Sequence, residues 1–247
     1  VQDTSPVPSL KNTIKAWWSE NAALAGSFET LRRFMVGVYD FLRDSLPQMR
    51  QRRFGDLDYD FDFRVNTTAG TVGWHDRLLG IFHSPYQATD PDLFREMMAS
   101  LPNELTSFVF IDIGSGKGRA LLMASDYPFK KILGVELLPD LNRVALQNIR
   151  DYKSASQRCA DIDSVCADAR VFEFPTDPLV VYLFNPLPEC GLVDLTHHLS
   201  ESVACNPRDV WLLYHNPVLE KVLISIPTFQ KVSGTAQYVL YRSKAGS

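Results

Sequence analysis

The chain has 247 residues, 45% of them hydrophobic and 22% charged, which suits a globular protein built on one large α/β domain or a medium domain with an appendage. Its formal net charge of −4 excludes the neutralisation of long stretches of phosphate backbone as the main task, so no extended nucleic-acid surface is expected. The four cysteines (Cys159, Cys166, Cys190 and Cys205) form no CxxC pair and have no histidine at metal spacing, which excludes a zinc site and a redox dithiol and fits reduced thiols. No apolar run reaches the ~18 residues of a membrane span, and VQDTSPVPSLK lacks the basic start and apolar core of a signal peptide, so a soluble, cytoplasmic protein is expected.

Residues 11–53 read as helix. Phe28, Leu31, Met35, Val38, Phe41 and Leu42 recur at three- and four-residue steps with charged residues between them, the mark of an amphipathic helix or helix pair. In GDLDYDFDFRV, Asp56, Asp58, Asp60 and Asp62 alternate with Leu57, Tyr59, Phe61 and Phe63, which predicts a half-buried extended segment with a row of carboxylates on one side. A calcium loop is excluded, because Phe61 stands where its turn glycine belongs and Thr67 where its final glutamate belongs. Residues 1–101 are therefore taken as a helical extension and lid, and 102–247 as the ligand-binding domain.

From Pro102 onward strand and helix patterns alternate, the signature of a mostly parallel sheet covered on both faces. Strands are predicted at 108–113, 131–136, 163–166, 179–184 and 210–214, with two more around Phe229 and at 238–241. Helices fit between the first five, for example 139–152, with Leu141, Val144, Ala145 and Ile149 on its inner face, and 192–203. The last two strands lie too close for a crossover helix and must form an antiparallel hairpin. The expected fold is thus a Rossmann-like, seven-stranded, mostly parallel sheet with a terminal antiparallel hairpin.

The first strand runs into FVFIDIGSGKGRA. Glycines at a strand end let backbone approach a ligand closely. A dinucleotide fingerprint fails because position 119 is Arg119, and a phosphate-binding P-loop fails because Ile111 stands where its first glycine is required. What remains is D-x-G-x-G-x-G, on Asp112, Gly114, Gly116 and Gly118, which resembles the first motif of class I S-adenosylmethionine (SAM) dependent methyltransferases.

That resemblance implies SAM as cofactor and S-adenosylhomocysteine as product, with the turn of Gly114, Ser115, Gly116 and Gly118 under the methionine and ribose and Asp112 near the ammonium. It extends over three further strand ends. Glu136, eighteen residues past Gly118, corresponds to the ribose-binding acid, with Leu137 or Leu138 against the adenine. Asp168 and Ala169 in VCADAR are similar to the family's adenine contacts, and Asn185 and Pro186 in YLFNP stand at the strand end facing the transferable methyl.

The acceptor is read from fewer residues. NPLP at 185–188 is similar to the [N/D]-P-P-[F/Y/W] motif of nitrogen-directed methyltransferases, but Leu187 and Pro188 replace its third and fourth residues, and loss of the stacking aromatic counts against a flat base. YQAT, with Tyr86 and Thr89, together with FIDIGSGKG and ILGVE, looks like the non-SET lysine methyltransferases, in which such a loop closes over the methionine end of SAM. The chain also resembles an uncharacterised bacterial class I group through FDFRVNT, YLFNP and YHNP. Asp58, Asp60 and Asp62 either attract a cationic substrate or form a solvated edge. Asn185 either meets the acceptor or caps the following helix. His215, at the end of the fifth strand, and Glu189 are candidate bases, with a structural role the alternative for the histidine. Nitrogen methylation of a protein lysine or another amine is expected, against small-molecule O-methylation or a SAM-binding subunit without turnover.

Overall fold

The computed structural model describes residues 10–44, 57–68 and 88–243, which fall into two compact units. The first contributes α1 (Leu10–Asp44), a long helix interrupted at Gly26, whose φ of 81° and ψ of 158° are non-helical. Beyond that break the chain reverses. Trp17 lies 6.4 Å from Phe34 between ring centroids and Arg33 donates to Asn21 at 3.4 Å, so α1 is a helical hairpin turning at a residue with no Cβ to oppose it.

The second unit comprises residues 56–68 and 87–247. Its described elements are α2 (Leu57–Phe63), α3 (Pro91–Ala99), β1 (Val109–Ile113), α4 (Arg119–Ala124), β2 (Lys131–Glu136), α5 (Pro139–Asp151) and β3 (Ile162–Cys166). There follow β4 (Leu179–Phe184), α6 (Glu189–Cys205), β5 (Val210–His215), α7 (Glu220–Ile224), β6 (Phe229–Gly234) and β7 (Tyr238–Ser243). They build a seven-stranded sheet in the order β3-β2-β1-β4-β5-β7-β6. Strands β1 to β5 pair in parallel, and β7 runs antiparallel to both β5 and β6. The fold expected from the alternating pattern, terminal hairpin included, is present, except that the helix expected between the third and fourth strands is absent: residues 167–178 link β3 to β4 by turns alone.

Every residue of β1 is buried, as the central position of a sheet covered on both faces requires. One core forms under α6 and α7, around Ile111, Val181, Leu195 and Leu212. The other forms under α3 and α4, around Phe94, Phe110, Leu121 and Tyr182. The order reverses between β1 and β4, and a crevice at such a reversal, outside the carboxyl ends of the strands, is where open α/β sheets bind ligands.

Another feature differs from the sequence reading. Over its described residues, Leu57–Phe63, the acidic alternation is helical. Its period of two also places Tyr59 and Phe63 four residues apart, on one helical face, where their rings lie 4.8 Å from each other and Phe63 lies 5.3 Å from Tyr152. The buried face of α5 includes Asn142 and Asn148 beside Leu141 and Ala145. Asn142 accepts from Ser164 Oγ at 2.6 Å. Asn148 donates to the carbonyls of Lys117 (2.9 Å) and Asn66 (3.0 Å) and accepts from the Asn66 N–H (2.8 Å). Buried amides are tolerated when so satisfied.

Asn148 is part of a polar bracket that fixes residues 57–68 behind the glycine turn. The Asp60 carboxylate accepts from the Thr67 and Thr68 N–H groups (2.8 and 2.9 Å), from Thr67 Oγ1 (2.5 Å) and from Arg119 Nη2 (3.3 Å). Arg119, 2% exposed, also donates to Thr67 Oγ1 at 2.7 Å and lies over the Tyr59 ring at 4.7 Å. Lys117, 1% exposed, donates to the Thr68 carbonyl (2.7 Å) and to Asn66 Oδ1 (3.2 Å), and burial brings its amine down to about 8. Asp60 is thus the counter-ion of a core arginine, not a lure for substrate. Removing one partner strands the other charge in the core, so Asp60→Ala is expected to cost about 3–5 kcal/mol in urea unfolding. A loss below ~1 kcal/mol, typical of an exposed pair, would contradict the bracket.

Candidate functional site

Strand β1 delivers its end into a turn that only glycine accommodates well. Gly114, Gly116 and Gly118 have φ of 74°, 55° and 83°, in the left-handed region. The Gly114 and Ser115 N–H groups both donate to the Val135 carbonyl (2.8 and 3.2 Å), which seats the turn on β2. A Cβ on Gly114 would stand 2.7 Å from that of Pro186, so the turn after β1 and the segment after β4 approach to backbone contact at the strand reversal. Ser115 Oγ is buried without a partner among the described residues, over Gly134, where an added Cβ would lie 2.6 Å from it.

Glu136 closes the other side. Its Oε2 accepts from the Gly116 N–H and its Oε1 from the Leu138 N–H, both at 2.8 Å, so the carboxylate ties the glycine turn to the end of β2. Asp112, in the adjacent strand, is 4% exposed; burial first and Glu136 second push its carboxyl up to about 8. Two buried carboxyl groups that repel each other make a place that favours a cation. Leu137 is half-buried beyond them.

At the end of β3 the Ala167 N–H donates to the Glu136 carbonyl at 3.0 Å, which brings this loop beside β2. Asp168 is held by Arg170, through Nη2 at 2.7 Å and Nε at 3.1 Å, and accepts the Arg170 N–H at 2.9 Å; Ala169 is buried next to it.

Two Asn-Pro steps end β4 and β5. Asn185 and Asn216 have φ of 45° and 50°, each before a proline, a combination that sterics disfavour and that clusters at functional sites. Asn185 Oδ1 accepts from Tyr214 Oη at 2.8 Å, and that oxygen accepts from the Leu219 N–H at 3.3 Å, which fixes the direction of the Asn185 bond. The N-cap of α6 is Pro188 and carries no side-chain capping bond, so helix capping is not the role of Asn185. Glu189 opens α6 in an ion pair with Lys221 at 2.9 Å.

His215 ends β5 and is 6% exposed. Its ring stacks on Phe184, its register partner in β4, at 3.8 Å between centroids, and its Nδ1 lies 2.8 Å from Tyr182 Oη. Burial lowers the imidazole to about 4 against the opposing pull of Asp90, so the ring is neutral near pH 7. Thr89, 4% exposed, has its Oγ1 2.9 Å from the same Tyr182 oxygen. Tyr86 lies outside the described residues. Sequence reasoning met Tyr182 and Tyr214 only as the first letters of YLFNP and YHNP and gave their hydroxyls no role. The signal was available, since a buried tyrosine hydroxyl needs a partner.

Among the described residues no helix is long and apolar enough to cross a membrane, and no group of acidic, histidine or cysteine side chains could hold a metal ion.

No family model and no curated protein matches the chain. Among solved structures it is similar to the ribosomal protein L11 methylase of Lactobacillus delbrueckii subsp. bulgaricus, at 18% identity over 63% of this chain and 77% of that one, with a TM-score of 0.43. It is similar also to an RNA methyltransferase from Salinibacter ruber in complex with S-adenosyl-L-homocysteine, at 20% identity over 64% and 92%, TM-score 0.42. A third is the PH0226 protein of Pyrococcus horikoshii OT3, at 13% identity over 76% and 99%, TM-score 0.47.

The raised Asp112 carboxyl makes a pH prediction. A folded-state value above the unfolded one contributes stability that is present below about pH 4 and lost as pH rises through about 8. The melting temperature of Asp112→Asn relative to the parent should therefore climb between pH 5 and 8. A difference that does not change with pH would show that Asp112 is not buried in its acid form.

Proposed function

We propose that the chain is a SAM-dependent methyltransferase that methylates a nitrogen, of a protein lysine or another amine, by direct in-line transfer. The observation that carries this reading is the approach of Pro186 to Gly114, so near that a Cβ on Gly114 would fall 2.7 Å from the proline Cβ. It joins a left-handed glycine turn, a buried carboxyl pair and a strained Asn-Pro step at one strand reversal. The residues present fit the cofactor. Three glycines leave room for backbone approach, Asp112 suits the ammonium, Glu136 the ribose hydroxyls, and Leu137 with Asp168 and Ala169 the adenine. When bound, SAM supplies an electrophilic methyl on a sulfonium that a lone pair can displace.

For a reaction of this kind, holding nucleophile and methyl carbon in line supplies about 7–11 kcal/mol without any covalent step on the protein. Asn185 is the residue assigned to that task. Tyr214 donates to its side-chain oxygen, and Asn185 directly precedes Pro186, the residue that closes on the glycine turn. A lysine amine, ordinarily near 10.4, must be neutral to react. With His215 near 4 and Glu189 in an ion pair, neither side chain is assigned as its base, and the proton leaves to solvent before transfer.

Incubation of the protein with methyl-labelled SAM and cell lysate tests this. Acid- and base-stable label on a protein or small amine is expected, and Asn185→Ala should abolish labelling while SAM affinity stays within about twofold, since the residue acts on the acceptor. Base-labile label, the mark of a methyl ester, or label located on a hydroxyl oxygen would move the reading to oxygen. SAM binding without any labelling would overturn turnover in favour of a cofactor-binding subunit.

A further inference from the structure

We infer that Tyr182 is a positioning residue that locks His215 in one tautomer, so that the imidazole offers its Nε2–H as a hydrogen-bond donor at the end of β5 rather than a lone pair that could act as a base. The ligand atom this suits is an acceptor, a carbonyl or carboxylate oxygen or an unprotonated ring nitrogen, on the molecule methylated; that part rests on the function proposed above, whereas the tautomer does not.

The tautomer follows from where each hydrogen goes. Thr89 Oγ1, Tyr182 Oη and His215 Nδ1 form a chain with spacings of 2.9 and 2.8 Å, and all three residues are buried. In one direction threonine donates to tyrosine and tyrosine to Nδ1, and the one hydrogen left over is on Nε2, which is not among the buried atoms without a partner. In the other direction Nδ1–H donates to tyrosine and tyrosine to threonine, and the threonine hydrogen is left over in a buried place where, among the described residues, Oγ1 makes no second bond. The first direction also pairs the more acidic hydroxyl, a phenol, with the better acceptor, an imidazole nitrogen. With Nδ1 accepting, a neutral ring must carry its proton on Nε2.

The rings around the chain keep it in place. Tyr182 has Phe94 at its edge at 5.8 Å and Phe110 stacked at 6.1 Å, while His215 lies on Phe184. Asp90 fixes the level of Thr89, because it caps α3 by accepting the Leu93 N–H at 2.9 Å.

Nitrogen-15 NMR of the full chain at pH 7 decides the matter. The five histidines can be told apart by a His215→Gln variant. For His215 an unprotonated Nδ1 and a protonated Nε2 are expected, and Tyr182→Phe should reduce the preference by about fivefold, as loss of one neutral hydrogen bond implies. A protonated Nδ1 in the parent overturns the inference, as does a Tyr182→Phe spectrum with the preference intact. Should Tyr182→Phe not fold, the parent spectrum alone still confirms or overturns it. The signal needs no turnover, so failure to methylate any acceptor would overturn the proposed function and leave the tautomer standing.

Discussion

The architecture of the site depends on the approach of two backbones. Where strand order reverses, the turn after β1 passes so near the segment after β4 that a Cβ on Gly114 would fall 2.7 Å from the Cβ of Pro186. A side chain at 114 would push the two apart and would also have to adopt a φ of 74°. The other features follow from this constraint. Glu136 can reach the Gly116 N–H only because the turn folds back over β2, and Asn185 stands at the turn's edge only because Pro186 touches it.

A turn so tight needs support from behind, and the bracket of Asp60, Arg119 and Lys117 supplies it. These charges sit in the core beside the glycines, with Arg119 2% and Lys117 1% exposed, and each is met by a segment 50 or so residues earlier in the chain. Residues 57–68 are accordingly part of the unit that carries the sheet. The electrostatics of the two sides differ in kind. Behind the turn buried cations are paired, while on the strand-end side Asp112 and Glu136 are both buried and burial, with Glu136 beside it, keeps the Asp112 carboxyl in its acid form. Such a place suits a positively charged ligand.

Much of this was legible in the sequence because it rests on local rules. Alternating strands and helices after Pro102, the apolar run of β1 and the glycines at 114, 116 and 118 each report a backbone requirement directly. The short link between the last two strands likewise admitted only a hairpin. What was hidden depends on partners distant in the chain. The aspartates at 56–62 fit a strand and a helix equally until Tyr59 and Phe63 find Tyr152 and Asp60 finds Arg119. Asn142 and Asn148 drew no reading, because nothing nearby in sequence announces Ser164 or Asn66. Tyr182 and Tyr214 entered only as parts of YLFNP and YHNP; their rings are core, and their hydroxyls reach His215 and Asn185 across the β4–β5 pair.

The most direct measurement is titration calorimetry of the purified chain with SAM and with S-adenosylhomocysteine. The account predicts that both bind, at one site per chain, because the glycine turn, the carboxyl pair and the adenine-side residues meet parts that the two molecules share. A folded protein that binds neither would contradict it and would reduce the turn between β1 and α4 to a structural connection.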